Sequence, residues 1–234
     1  MGFLILLGLA IAPGAAITLY VYWKDAHDKE PLHLLVKCFF LGVLCAIPAI
    51  ILELSASKLG IFNLHPQGYI WPAALHAFVV VAFSEELCKF VVLRWYAYPK
   101  ADFNEPYDGI IYSVMISMGF ATFENILYVL GGGFGVAILR MFLAVPAHAT
   151  FAILMGYFVG LAKFQKNQWT WKAFGLLAAI LFHGAYDLFL MQKTVPLLAF
   201  GAVVSLIVAI ILSRKAMRIH VANSPFKPPP GRAI

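Results

Sequence analysis

Residues 71–96 read WPAALHAFVVVAFSEELCKFVVLRWY, an apolar run flanked by Trp71 and Trp95 and interrupted by Glu85, Glu86 and Lys89. At about 1.5 Å of rise per residue, a helix over this run is long enough to cross a hydrocarbon core about 30 Å thick. An ionisable residue at mid-membrane costs at least roughly 2.5–3.5 kcal/mol on insertion scales. The stretch therefore predicts a transmembrane helix and, inside it, polar groups retained for a function.

The pattern continues on both sides. Apolar runs predict helices over 2–22, 32–54, 71–96, 109–130, 136–163, 171–191 and 195–213. Of the 234 residues, 62% are hydrophobic and 12% charged, against roughly 45–50% and 25% in soluble domains. A water-soluble fold cannot hide that much apolar surface. The expected fold is an all-α, polytopic membrane helical bundle of about seven transmembrane helices. The bundle occupies residues 1–213, with the polar positions on helices between 71 and 191, and a basic, proline-rich tail follows over 214–234.

Charge sets the expected orientation. Lys24, Lys29, Arg94, Lys100, Lys163, Lys166, Lys172, Arg214, Lys215, Arg218, Lys227 and Arg232 fall on one side of such a bundle, and only Lys58 and Lys193 on the other. Cytoplasmic loops carry the Lys/Arg excess, so the amino terminus is expected outside and the carboxyl terminus inside. The formal net charge of +6 is thus explained by topology, and no nucleic-acid partner is expected. The run 2–22 has no basic segment before it and reads as a retained helix, not a signal peptide. Cys38, Cys45 and Cys88 lie in apolar runs without metal-ligand spacing and read as packing residues with reduced thiols.

Besides the Glu85, Glu86 and Lys89 group, Glu124, His148, His183 and Asp187 fall inside predicted spans. Glu85 and Lys89 are four residues apart, Glu86 and Lys89 three, and His183 and Asp187 four, so each set shares one helix face. Counting rise from the helix ends places Glu85 and Glu124 about 21–22 Å in and His148 and His183 about 18 Å in. All four then lie between mid-membrane and the outer half, where they could share one cavity. Such a cavity suits water activation, with a glutamate as general base and a histidine sharing the proton or stabilising an oxyanion. Asp187 would fix the His183 tautomer, and Lys89 would neutralise one of two adjacent carboxylates. A proton- or cation-coupled transporter would use a similar stripe and is the alternative reading. Glu53, Arg140 and His76 stand apart and read as interfacial or snorkelling groups.

These motifs resemble those of a known family. Phe83 to Lys89 is similar to an E-E-x-x-K motif, and Gly119-Phe120-Ala121-Thr122-Phe123-Glu124-Asn125 to an F-A-x-x-E-N motif. His148-Ala149, followed by Gly156 and Gly160, and then His183-Gly184-Ala185-Tyr186-Asp187, match two histidine motifs in the same order. This is the pattern of PrsW-type intramembrane proteases, which are related to the CAAX-processing and bacteriocin-processing membrane proteases. The resemblance covers residues 71 to 190.

It implies a multi-pass cell-membrane peptidase acting on a membrane-anchored protein substrate, with the lipid bilayer as its other partner. The expected catalytic residues are Glu85, Glu86, Glu124, His148, His183 and Asp187, supported by Lys89 and Asn125. The family's best-known role is the first cut in a membrane-bound anti-sigma factor. The wider group has a histidine where this chain has Glu124, and His148 is the natural substitute. The residues fit a glutamate-based hydrolase, towards which this reading leans, and also a divalent metal such as zinc, held then by Glu86, Glu124, His148 and His183.

Overall fold

The computed structural model describes residues 2–60, 70–191 and 199–227, which form helices joined by short loops, with no strand among the described residues. Helix α1 spans Gly2–Lys24 and α2 Leu32–Lys58. A third rod covers 70–97 and is built from α3 (Ile70–Leu75), a π-helical stretch His76–Ala82, α4 (Phe83–Val92) and a second π-helical stretch Leu93–Ala97. Helices α5 (Pro106–Phe142), α6 (Ala144–Lys163), α7 (Gln168–Met191) and α8 (Ala199–Ala222) complete the bundle. In lipid every backbone N–H and C=O must be satisfied within its own segment, so continuous apolar runs become helices. Five stretches are long and apolar enough to cross a membrane: Gly2–Lys24, Leu32–Lys58, Pro106–Lys163, Gln168–Met191 and Phe200–Ala222. Leu4, Phe40, Ile51, Leu181 and Ile211 are exposed on the outside of the bundle, where lipid supplies the apolar contact.

The 58-residue stretch Pro106–Lys163 is two antiparallel legs, not one rod. Gly133 takes φ 72°, a left-handed value that glycine adopts without strain, and the chain reverses there. This is where the sequence placed a turn, at Gly131-Gly132-Gly133. The return leg is broken once more at Leu143, a break the sequence reading did not anticipate. Pro146 explains it, because its ring clashes with the carbonyl four residues back and ends the preceding helix. The last helix also differs from expectation, running past Ser213 to Ala222. Its expected start at 195, together with Lys193 and the tail from Pro228 to Ile234, lies outside the described residues.

The first leg of α5 is the hub, with nearly every residue from Tyr107 to Thr122 buried. Neighbouring helices approach it backbone to backbone. A side chain added at Gly109 would meet the carbonyl of Gly156 at 2.4 Å, and one at Gly119 would meet the carbonyl of Phe39 at 1.9 Å. Small residues at such crossings are how membrane helices pack tightly.

The loops 25–31 and 98–105 converge at one end of the bundle around buried acids. Asp25, Glu30, Glu105 and Asp108 are all at most 3% exposed. Asp108 accepts from the backbone N–H groups of Asn104 and Glu105 at 2.6 and 2.7 Å and caps α5. The Tyr112 hydroxyl donates to Glu30, whereas neither side-chain oxygen of Asp25 has a partner. Burial pushes both the Asp25 and the Glu30 carboxyls up to about 7. An acid raised in the fold contributes stability that is complete below its unfolded value, near 4, and is lost as pH rises through the folded value. The detergent-solubilised protein should therefore melt several degrees higher at pH 5.5 than at pH 8, and Asp25→Asn should reduce that difference, leaving the part due to Glu30. An identical pH profile for the variant would show that Asp25 is not buried as described.

Candidate active site

Helix α4 follows the first π-helical stretch, whose wide turns commonly mark functional sites. It presents Glu85, Glu86 and Lys89, all buried to 4% exposure or less. The Lys89 ammonium donates to Glu85 Oε2 at 3.0 Å and to Glu86 Oε1 at 2.8 Å. It also lies 3.4 Å from His148 Nδ1 and over the Phe120 ring, 4.0 Å from its centroid. The one-turn spacing read from the sequence does place the three groups together.

The two histidines come from other helices. His148 sits in the first turns of α6, just after the Leu143 break, and its backbone carbonyl accepts the Ser117 hydroxyl of α5 at 3.0 Å. His183 sits on α7 beside Gly184, where an added side chain would come within 2.3 Å of the Phe78 ring. That glycine lets α7 close on the third rod. Phe151 stacks on His183 at 4.9 Å, and the two imidazoles are 5.3 Å apart.

Both rings are arranged in the same way. The Nδ1 of His148 faces Lys89, and its Nε2 lies 3.0 Å from Glu124 Oε2. The Nδ1 of His183 faces Glu86 Oε1 at 2.8 Å, and its Nε2 lies 3.3 Å from Asp187 Oδ2. In each case an outer carboxylate stands at Nε2, and Nδ1 is turned inwards. Carboxylates that orient histidines from behind are the usual second layer of a metal centre.

One donor atom each from Glu85, Glu86, His148 and His183 can be chosen so that all four lie within 4.8 Å of one another. Two carboxylates and two imidazoles are suitable donors for a divalent ion such as zinc. The donor set fits a metal, with Lys89 competing for the same oxygens. Of the ligands expected from the sequence, Glu86, His148 and His183 belong to this group, and Glu124 lies at the Nε2 side of His148.

Arg140 was read as an interfacial or snorkelling residue, and the structure places it at the site. Its guanidinium donates to Glu124 Oε2 at 2.7 Å and to Asn125 Oδ1 at 2.8 Å. Asn125 in turn donates to the Ala10 carbonyl of α1 at 2.8 Å. A reversal at Gly133 sets residue 140 opposite residue 125, which is the signal that could have found it.

Known proteins resemble the chain over most of its length. Residues 30–216 match the family described as PrsW family intramembrane metalloprotease. The chain belongs to the PrsW family. It is 38% identical to the Protease PrsW of Geobacillus kaustophilus over 191 residues, 80% of each chain. It is 36% identical to the Protease PrsW of Bacillus subtilis, over 79% of this chain and 82% of that one. With the Protease PrsW of Clostridioides difficile the identity is 35% over 78% of each. No solved structure matches the chain. As a PrsW protein the chain is an enzyme, an intramembrane peptidase, and a multi-pass membrane protein, and the transporter reading is not favoured.

A divalent ion that binds the folded chain raises its stability by mass action, about 2.7 kcal/mol at one hundred times Kd. For an ion held among these inward donors by Glu86, His148 and His183, His183→Ala should abolish the rise in melting temperature that added zinc produces. Glu124→Gln should only weaken zinc affinity, by about 10–100-fold, as the loss of an outer carboxylate does. Complete loss in Glu124→Gln with retention in His183→Ala would place Glu124 among the ligands instead.

Proposed function

We propose that the protein hydrolyses a peptide bond of a membrane-anchored protein substrate at the depth of Glu85, Glu86, His148 and His183. The convergence of those four donors from α4, α6 and α7 carries the reading. The alternating direction of successive legs supports seven crossings, and the basic residues favour an outward amino terminus and an inward carboxyl terminus in the cell membrane. The family's role in cutting a membrane-bound anti-sigma factor makes a single-span regulator of that kind the first substrate to try.

In this mechanism Glu85 is the general base. Its recorded partners are Lys89 and, at 4.0 Å, His148, whereas Glu86 Oε1 is engaged by both Lys89 and His183. Glu86, His148 and His183 would hold a divalent ion, and three protein ligands with one open position is the usual catalytic arrangement for zinc. When bound, the ion would polarise the scissile carbonyl and acidify the attacking water. Glu85 takes the proton from that water and passes it to the leaving amine. Lys89 offsets the carboxylate charge, and Glu124 and Asp187 fix the two imidazole tautomers. Arg140 and Asn125 hold Glu124 in place.

Cleavage of a panel of single-span substrates by the purified full chain tests the proposal. Glu85→Gln should slow cleavage by about 10²–10⁴-fold, the usual contribution of a general base. Glu86→Gln and His183→Ala should lose at least as much, and a chelator should inhibit the wild type. Undiminished cleavage in all three variants would overturn the assignment, and chelator resistance would remove the metal.

A further inference from the structure

A second polar feature lies far along the bundle from the peptidase centre, between the end of α1 and the last turns of α8. These helices scarcely touch each other. The gap between them is a cavity of about 610 Å³, within the roughly 300–1,000 Å³ of small-molecule sites. Lys24, Arg214, Arg218 and Lys227 line it, and no carboxylate does among the described residues. None of the four forms an ion pair among the described residues. Four cations brought to one cavity repel one another, so the cavity is built for an anion.

Its depth identifies the anion. Trp23, 71% exposed at the end of α1, and Arg214, which closes the apolar part of α8, both line the cavity. Two helices therefore change from apolar to basic at the same level, which is where a hydrocarbon core gives way to headgroups. Tryptophan prefers that level. Met217 adds an apolar wall beside the charges. Arginine offers a planar fork that binds phosphate oxygens in pairs, and Lys24 and Lys227 add point charges. Basic pockets between helix ends are suited to anionic headgroups.

We propose that this cavity binds the phosphate-bearing headgroup of an anionic phospholipid and so joins the ends of α1 and α8. The proposal is independent of the peptidase mechanism. Free phosphate shares the chemistry but has no reason to sit at this depth or against an apolar wall.

Native mass spectrometry of the full chain in neutral detergent tests it, with phosphatidylglycerol and phosphatidylcholine as probes. The first phosphatidylglycerol should bind at least about tenfold more tightly than phosphatidylcholine, the effect of roughly one good charge-assisted contact. Arg214→Gln/Arg218→Gln should erase that preference. Lys166→Gln/Lys215→Gln removes two charges outside the cavity and should preserve it. The single variant Arg218→Gln should weaken the preference measurably and keeps the test readable if the double variant fails to fold. Equal loss in both double variants would reduce the effect to diffuse surface charge and overturn the site. So would an unchanged preference in Arg218→Gln, or displacement of the lipid by millimolar inorganic phosphate.

Discussion

The contact on which the site depends is the Lys89 ammonium held between Glu85 and Glu86. Three ionisable groups on one buried helix face would be costly if any one were unpaired, and removing one partner from a buried pair typically costs about 3–5 kcal/mol. Together they form a compact unit in which one ammonium serves two carboxyl groups. His148 and His183 complete it from two other helices. The pairing within α4 is local, and the contacts of Lys89 with His148 and of Glu86 with His183 tie α6 and α7 to it.

The rest of the bundle holds that assembly in place. Glycines at the α5 crossings bring neighbouring helices to within backbone contact, so α5 is a fixed reference for His148 on α6, and α7 with His183 packs on α6 at Gly175. The hairpin at Gly133 and the break before Pro146 divide the return leg into a short piece that carries Arg140 and a long one that carries His148. The outer carboxylates Glu124 and Asp187 then set which ring nitrogen faces inwards. A site with two histidines oriented in this way can handle an ion or a proton at one point while the surrounding helices stay apolar towards lipid.

Much of this was legible in the sequence because its signals were local. Hydropathy identified the helices, and one-turn spacings placed Glu85 and Glu86 against Lys89 and His183 against Asp187. Depth counting brought four helices to a common level. What could not be read was the lateral arrangement. Nothing local separates Glu124, behind His148, from Glu85, in front of it, since both lie on apolar helices at similar depth. Arg140 looked interfacial because its partners are on the opposite leg of a hairpin. The Leu143 break required giving weight to Pro146, and α8 extends past the basic residues at which its apolar run ends.

In the proposed hydrolysis Glu86 and His183, on different helices, act as one unit. Single-turnover cleavage by Glu86→Gln, His183→Ala and the double variant tests it most directly, because residues that act together give strongly non-additive losses. The double variant should be no slower than the slower single variant. Losses that multiply would mean the two residues act independently and would contradict it.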